Sequence, residues 1–225
     1  MPSNVDTVIR CPAEPPLRTR KRQMSESRRD LVERIGRDLQ KLEDQLKASA
    51  DERTEIRLPR GFIRTAYYFR KRYWFVNDEN LRANIAYALI LSDVYRWMLN
   101  RTGLIGTARE MLIKEGICLM GCLAESITKI TLHGICGKNY GTRVNKMREL
   151  KIIDAELQSK LKWLWKYRNR EHLFLLEDRE YQRYTLEHYN EAIRTIEGLR
   201  SSLARYFEDR LKGASEHTHQ PTRAF

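Results

Sequence analysis

Run after run of this chain puts an apolar residue at every third or fourth position, and no stretch alternates apolar with polar over any length. Leu81, Ile85, Ala88, Leu89, Ser92 and Tyr95 or Arg96 trace one such face, and Met111, Cys118, Cys122 and Ile130 trace a second. Leu157, Leu161, Leu164 and Trp165 make a third, and Leu186, Tyr189, Ile193, Ile196, Leu199, Leu203 and Tyr206 or Phe207 a fourth. A period of about 3.6 stacks these residues on one side of a helix, whereas a half-buried strand needs a period of two. Start and stop signals fit: Asn77 or Asp78 and then Asp154 as N-caps, and breaks at Asn100 to Gly103 and Gly134 to Gly141. Helices are expected over about 107–132 and 185–212. The fold class is therefore all-α, an antiparallel helical bundle.

The third stripe breaks its own pattern. Extended by its period it reaches Arg168 and His172, a guanidinium and an imidazole where leucines are due. Buried without partners, two such groups are costly, so they either line a cleft or meet partners that bridge helices. Glu125, set among apolar neighbours in the preceding long helix, is either a surface acid or an inward-facing partner of Arg168 or His172.

The chain carries a net charge of +12 and a pI near 9.7, which suits an anionic partner such as nucleic acid or an acidic protein surface. No apolar run reaches the ~18 residues of a membrane span, and the N-terminus lacks a signal-peptide core, so no membrane partner and a cytoplasmic location are expected. Cys118 and Cys122, one turn apart, with His133 and Cys136 downstream, match no common zinc spacing and read as small core hydrophobes; neither metal nor cofactor is expected. The glycines around Lys138-Asn139-Tyr140 lack the spacing of a phosphate-cradling loop.

The motif Arg168-Asn169-Arg170-Glu171-His172 resembles the signature of the HEPN family (higher eukaryotes and prokaryotes nucleotide-binding domain). Its setting is similar too: a helix with an embedded acid, a glycine-rich break, a short helix, an Ile-Ile turn and the motif helix, over residues 105–210. The gap between Arg168 and His172 is shorter than the family's usual one. The resemblance implies a HEPN-like four-helix core and, as in many members, a metal-independent endoribonuclease or toxin-type effector. It implies RNA and a homodimer as partners, two copies pooling their motifs in one cleft, and an antitoxin or regulatory protein in a defence or stress setting. Arg168 would then hold phosphate oxygens, Arg170 a neighbouring phosphate, Asn169 would orient backbone or substrate, and His172 would move the proton. Phe174 stands where a subgroup of HEPN toxins carries a modified tyrosine, so that form of control is not implied. The competing expectations are a non-catalytic HEPN-like module that dimerises and binds RNA or a partner protein, and a scaffold for an acidic protein.

Upstream, residues 1–23 read as a disordered basic arm and 24–76 as an N-terminal helical extension, followed by the bundle domain at 77–212 and a disordered tail at 213–225. Within the extension, Ile35, Leu39, Leu42 and Leu46 form a short heptad-like seam that must pack on a second copy or on this chain. The motif helix, read as continuing from His172 through Leu173 to Leu176, offers another subunit contact. Between Phe62 and Phe75, Arg64, Arg70, Lys71 and Arg72 interleave with Tyr67, Tyr68, Phe69, Tyr73 and Trp74 without an acid. That mixture suits single-stranded nucleic acid, with Tyr68 among the stacking rings; equally, the aromatics fill a core and the cations face water.

Overall fold

The computed structural model describes residues 27–48, 63–171 and 183–217. The basic arm and the end of the tail lie outside them. Among the described residues every regular element is helical, and none of these helices is long and apolar enough to cross a membrane. The chain divides into two compact units, Met1–Arg57 and Leu58–Phe225.

The first unit contributes α1 (Arg28–Ala48). Ser27 starts it: its Oγ accepts from the backbone N–H of Asp30 at 3.2 Å and donates to the Asp30 carboxylate at 2.7 Å. Along the helix Arg29 pairs with Glu33 at 3.2 Å, one turn on. Ile35, Leu39 and Leu42 of the seam lie on this helix, and Val32, Ile35 and Leu39 are exposed.

The second unit holds α2 (Ala66–Arg72), α3 (Glu79–Arg101), α4 (Gly106–Thr131), α5 (Tyr140–Glu149), α6 (Ala155–Arg168) and α7 (Leu186–His217). Thr65, Asp78, Asn139 and Asp154 cap α2, α3, α5 and α6 by accepting from the backbone N–H three residues on. These caps satisfy donors that a helix start leaves unpaired. α4 is the central helix, packed against α3, α5, α6 and α7. The connection Thr102–Ile105 is short, which makes α3 and α4 antiparallel neighbours. The core runs from Ile85 and Leu89 through Ile113, Ile117, Met120 and Ile127 to Leu161, Leu164, Ile196, Leu199 and Leu203.

α4 has an apolar, Gly-containing face because neighbours come unusually close. A Cβ on Gly116 would stand 2.7 Å from the Tyr189 ring of α7, and one on Gly121 would stand 2.5 Å from Cβ of Arg168 on α6. Between α5 and α6, Lys151 adopts φ 57°, and the N–H of Ile152 reaches back to the carbonyl of Met147 at 2.9 Å. This left-handed closure of α5 is normally a glycine's task; it turns Ile152 and Ile153 into the core. The aromatic stretch joins the same unit as the bundle: Phe69, Tyr73, Phe75 and Val76 are core residues, and Phe75 stacks on Phe207 of α7 at 5.8 Å. α7 runs on through Gly213 to His217.

Three core tyrosines set the alkaline limit of this fold. Tyr73, Tyr140 and Tyr189 are sealed from water, and burial, the leading cause in each, raises their ionisation, to about 12 for Tyr189 and higher for the other two. The unfolded chain loses these protons near pH 10. Above that pH the unfolded state binds fewer protons than the folded one, so stability is intact below about pH 10 and falls as pH climbs through the folded value. The melting temperature followed by circular dichroism should hold up to about pH 10 and then drop steeply. A Tyr189→Phe variant should show a shallower drop. The same drop in both would remove Tyr189 from the alkaline transition.

Candidate functional site at the end of α6

The stripe Leu157, Leu161 and Leu164 is buried, as its period requires, and Trp165 is half-buried beside it. Arg168 continues the same face. Its Nη2 lies 3.2 Å from Oε2 of Glu125, with 22% of the arginine side chain and 33% of the glutamate side chain exposed. Of the two readings for Glu125, the inward-facing partner is the one realised. A partly wet pair of this kind is held in place without being sealed, so the guanidinium keeps a face towards solvent.

Packing fixes the arginine further. Its guanidinium lies over the Trp165 ring at 5.1 Å, and Trp165 stacks on Tyr140 of α5 at 4.4 Å and 10°. The Tyr140 hydroxyl donates to the Leu161 carbonyl at 3.3 Å. The stem rests on Gly121, where a side chain on α4 would collide. Arg168 Nε is buried with no hydrogen-bond partner among the described residues. An orphaned, charged donor of that kind is costly and marks a place where an acceptor would be welcome.

The α-helix ends at Arg168, where the sequence reading carried it on as α-helix through the next residues. Asn169–Glu171 form a 3-10 turn, in which the N–H of Asn169 reaches the carbonyls of Trp165 and Tyr167. Tightening of this sort satisfies carbonyls at a helix end, and Lys166 and Arg168 in the last turn favour the negative end of the helix dipole. Asn169 is exposed, and the Arg170 guanidinium lies over Tyr167 at 5.4 Å. His172, Phe174 and the run Leu173–Leu176 lie outside the described residues. The structure thus brings Arg168 and Glu125 together and sets Asn169 and Arg170 directly after them.

The five residues read as nucleic-acid contacts separate into two groups. Arg64 donates to Asp93 of α3 through its backbone N at 3.0 Å, Nε at 2.9 Å and Nη2 at 2.6 Å. Arg72 pairs with Glu197 of α7 at 2.6 Å. Both guanidiniums lie over the Tyr68 ring, at 5.4 and 5.6 Å. Arg64, Tyr68 and Arg72 thereby tie α2 to α3 and α7, whereas Arg70 and Lys71 are exposed. Asp93 was missed in the sequence reading. Its signal was an acid one turn after Leu89 on a buried face, the same signal that singled out Glu125.

Cys118 is a core residue whose thiol donates to the Tyr167 carbonyl at 3.8 Å, joining α4 to the last turn of α6. Among the described residues no group of three His, Cys, Asp or Glu side chains is arranged to hold a metal ion. Searches with this chain match no protein-family model, no curated protein and no solved structure.

Proposed function

We propose that the chain is a HEPN-type, metal-independent endoribonuclease or toxin-type effector that cleaves RNA as a homodimer. The observation that carries this reading is the placement of Arg168: a mostly buried guanidinium with one face open to solvent, clamped by Glu125, Trp165 and Gly121, at the start of the motif that contains His172. A preorganised cation at the point where negative charge builds on phosphate does not have to reorganise during the reaction. Arg168 takes the phosphoryl oxygens, and Arg170, two residues on in the 3-10 segment, reaches the next phosphate.

His172 moves the protons. One imidazole takes the proton of the 2′-hydroxyl, the 2′-oxygen attacks phosphorus, and the bond to the 5′-oxygen breaks. A second imidazole, in its protonated form, gives that oxygen its proton. The products are a 2′,3′-cyclic phosphate and a 5′-hydroxyl. Two imidazoles call for two copies of the motif, which a twofold axis supplies.

A second reading draws on the same ion pair. Glu125 already occupies Nη2 of Arg168, and a pair that only bridges α4 and α6 belongs to a non-catalytic module that dimerises and binds RNA or a partner protein. Incubation of the full chain with varied RNAs in EDTA separates the two. The nuclease is expected to release cyclic-phosphate ends, to lose this activity in His172→Ala with helicity intact, and to run as a dimer in light scattering. Binding without cleavage across those RNAs would favour the module; cleavage retained in His172→Ala would take the imidazole out of the mechanism.

A further inference from the structure

The outward face of α2 has no role in the fold. Tyr67, Arg70, Lys71 and Trp74 follow one another at the i, i+3, i+4, i+7 spacing of a single helical face, with Trp74 in the turn just after Arg72. Tyr67 is 71% exposed and Trp74 37%, and both cations are exposed. Among the described residues neither Arg70 nor Lys71 has an acidic partner, and no acid occurs from Ile63 to Asn77. Two rings therefore flank two free positive charges.

The opposite side of this short helix is rigidly held. Phe69, Tyr73 and Phe75 are core residues, and Arg64 and Arg72 fasten the helix to Asp93 and Glu197. The Trp74 ring meets Phe75 edge-on at 6.0 Å, so it is supported from beneath while its outer part stays open. Exposed rings on a fixed backbone lose little conformational freedom on binding.

We propose that this face is a binding strip for single-stranded RNA, with bases stacked on Tyr67 and Trp74 and the intervening phosphates on Arg70 and Lys71. Base faces are available only in an unpaired strand, since a duplex keeps them inside its own stack. A membrane surface is the poorer fit: an interfacial helix buries a broad apolar face in lipid, and the apolar face of α2 is already spent on the core. The strip builds on the reading of RNA as partner and specifies its strand state. It does not depend on cleavage.

Fluorescence anisotropy with a labelled, unstructured twelve-nucleotide RNA tests the strip. The titration uses the full chain carrying Arg168→Ala, which keeps the probe intact in the proposed nuclease. The single strand should bind more tightly than the same sequence in a duplex. Tyr67→Ala with Trp74→Ala should weaken single-strand binding at least ~10-fold, given the usual worth of base stacking on aromatic rings. Tyr67→Phe with Trp74→Phe should restore it, which a merely misfolded variant would not do. Arg70→Gln with Lys71→Gln should flatten the slope of log affinity against log salt by about 1.4, two single-strand phosphates' worth.

Unchanged affinity in the double alanine variant, or equal binding of single strand and duplex, overturns the strip. So does a chain that binds anionic phospholipid vesicles and not RNA. Tight, ring-dependent binding by a wild type that never cleaves leaves the strip standing and removes the nuclease reading alone.

Discussion

Replacing Arg64 by methionine should lower the unfolding free energy by about 3 kcal/mol, the low end of the range for breaking a buried ion pair from one side. The reason lies with its partner. The Asp93 side chain is 3% exposed, and Arg64 alone supplies it with three hydrogen bonds, two from the guanidinium and one from the backbone. Methionine keeps the backbone bond and the stem but leaves a carboxylate among apolar neighbours without its counter-charge. The low end applies because 37% of the arginine side chain faces water, so solvent already screens part of the attraction. The hydrogen bonds it donates to Asp93 also hold the Arg64 guanidinium above its ordinary ionisation range.

Arg64→Lys should recover only part of the loss, since an ammonium cannot reproduce the fork that meets both carboxylate oxygens. Arg70→Met, on the exposed side of the same helix, should change stability by less than about 0.5 kcal/mol. Urea denaturation of the three variants measures the contrast. Equal effects of Arg64→Met and Arg70→Met would show that Asp93 finds another partner, and that α2 is not pinned through it.

This pair also marks where the sequence stopped being readable. The helical period located the long helices of the bundle, and the caps Asp78 and Asp154 were readable too, because both signals are local: a stripe repeats every turn, and a capping side chain reaches three residues on. It could not tell which cations of Phe62 to Phe75 would turn inward, because their partners lie 29 residues away at Asp93 and 125 away at Glu197. The structure divides that stretch between core, anchors and surface. Phe69, Tyr73 and Phe75 fill the core, Arg64 and Arg72 anchor the helix, and Tyr67, Arg70, Lys71 and Trp74 remain outside.

The end of α6 was misjudged for a related reason. Extrapolating the stripe past Arg168 assumes that the helix persists, whereas the carbonyls of its last turn are satisfied by a 3-10 segment that no periodicity announces. What was legible there was the misfit itself. An arginine on an apolar face needs a partner, and the one acid embedded in the facing stripe of α4 was Glu125.

Gly121→Ala should destabilise the bundle and displace Arg168 together, and it tests the site most directly. The added carbon would lie 2.5 Å from Cβ and 2.9 Å from Cγ of Arg168, with its Cα at 3.6 Å. A Cβ cannot swing aside as the tip of a long side chain can; it moves with its helix. Reaching ordinary contact at 3.4 Å requires about 0.9 Å of separation between α4 and the last turn of α6. Alanine gains about 1 kcal/mol over glycine in helix propensity, but overpacking a close contact costs about 1–3 kcal/mol. The net should be a modest loss, and Gly121→Val, with more bulk at the same point, should lose more. If the chain is the nuclease proposed above, the effect on cleavage should be larger, because a shift of about 1 Å in a charge-stabilising group costs on the order of 100-fold in rate. RNA affinity through α2, on another part of the bundle, should stay within about 2-fold, well under the ~1 kcal/mol of a stacked base. Gly36→Ala is the control: nothing lies within 4 Å of its new carbon, so propensity acts alone, raising helicity and leaving cleavage unchanged. A Gly121→Ala protein that melts and cleaves as the wild type does would mean that the close approach of α4 and α6 does not position Arg168, and that its pairing with Glu125 survives by other means.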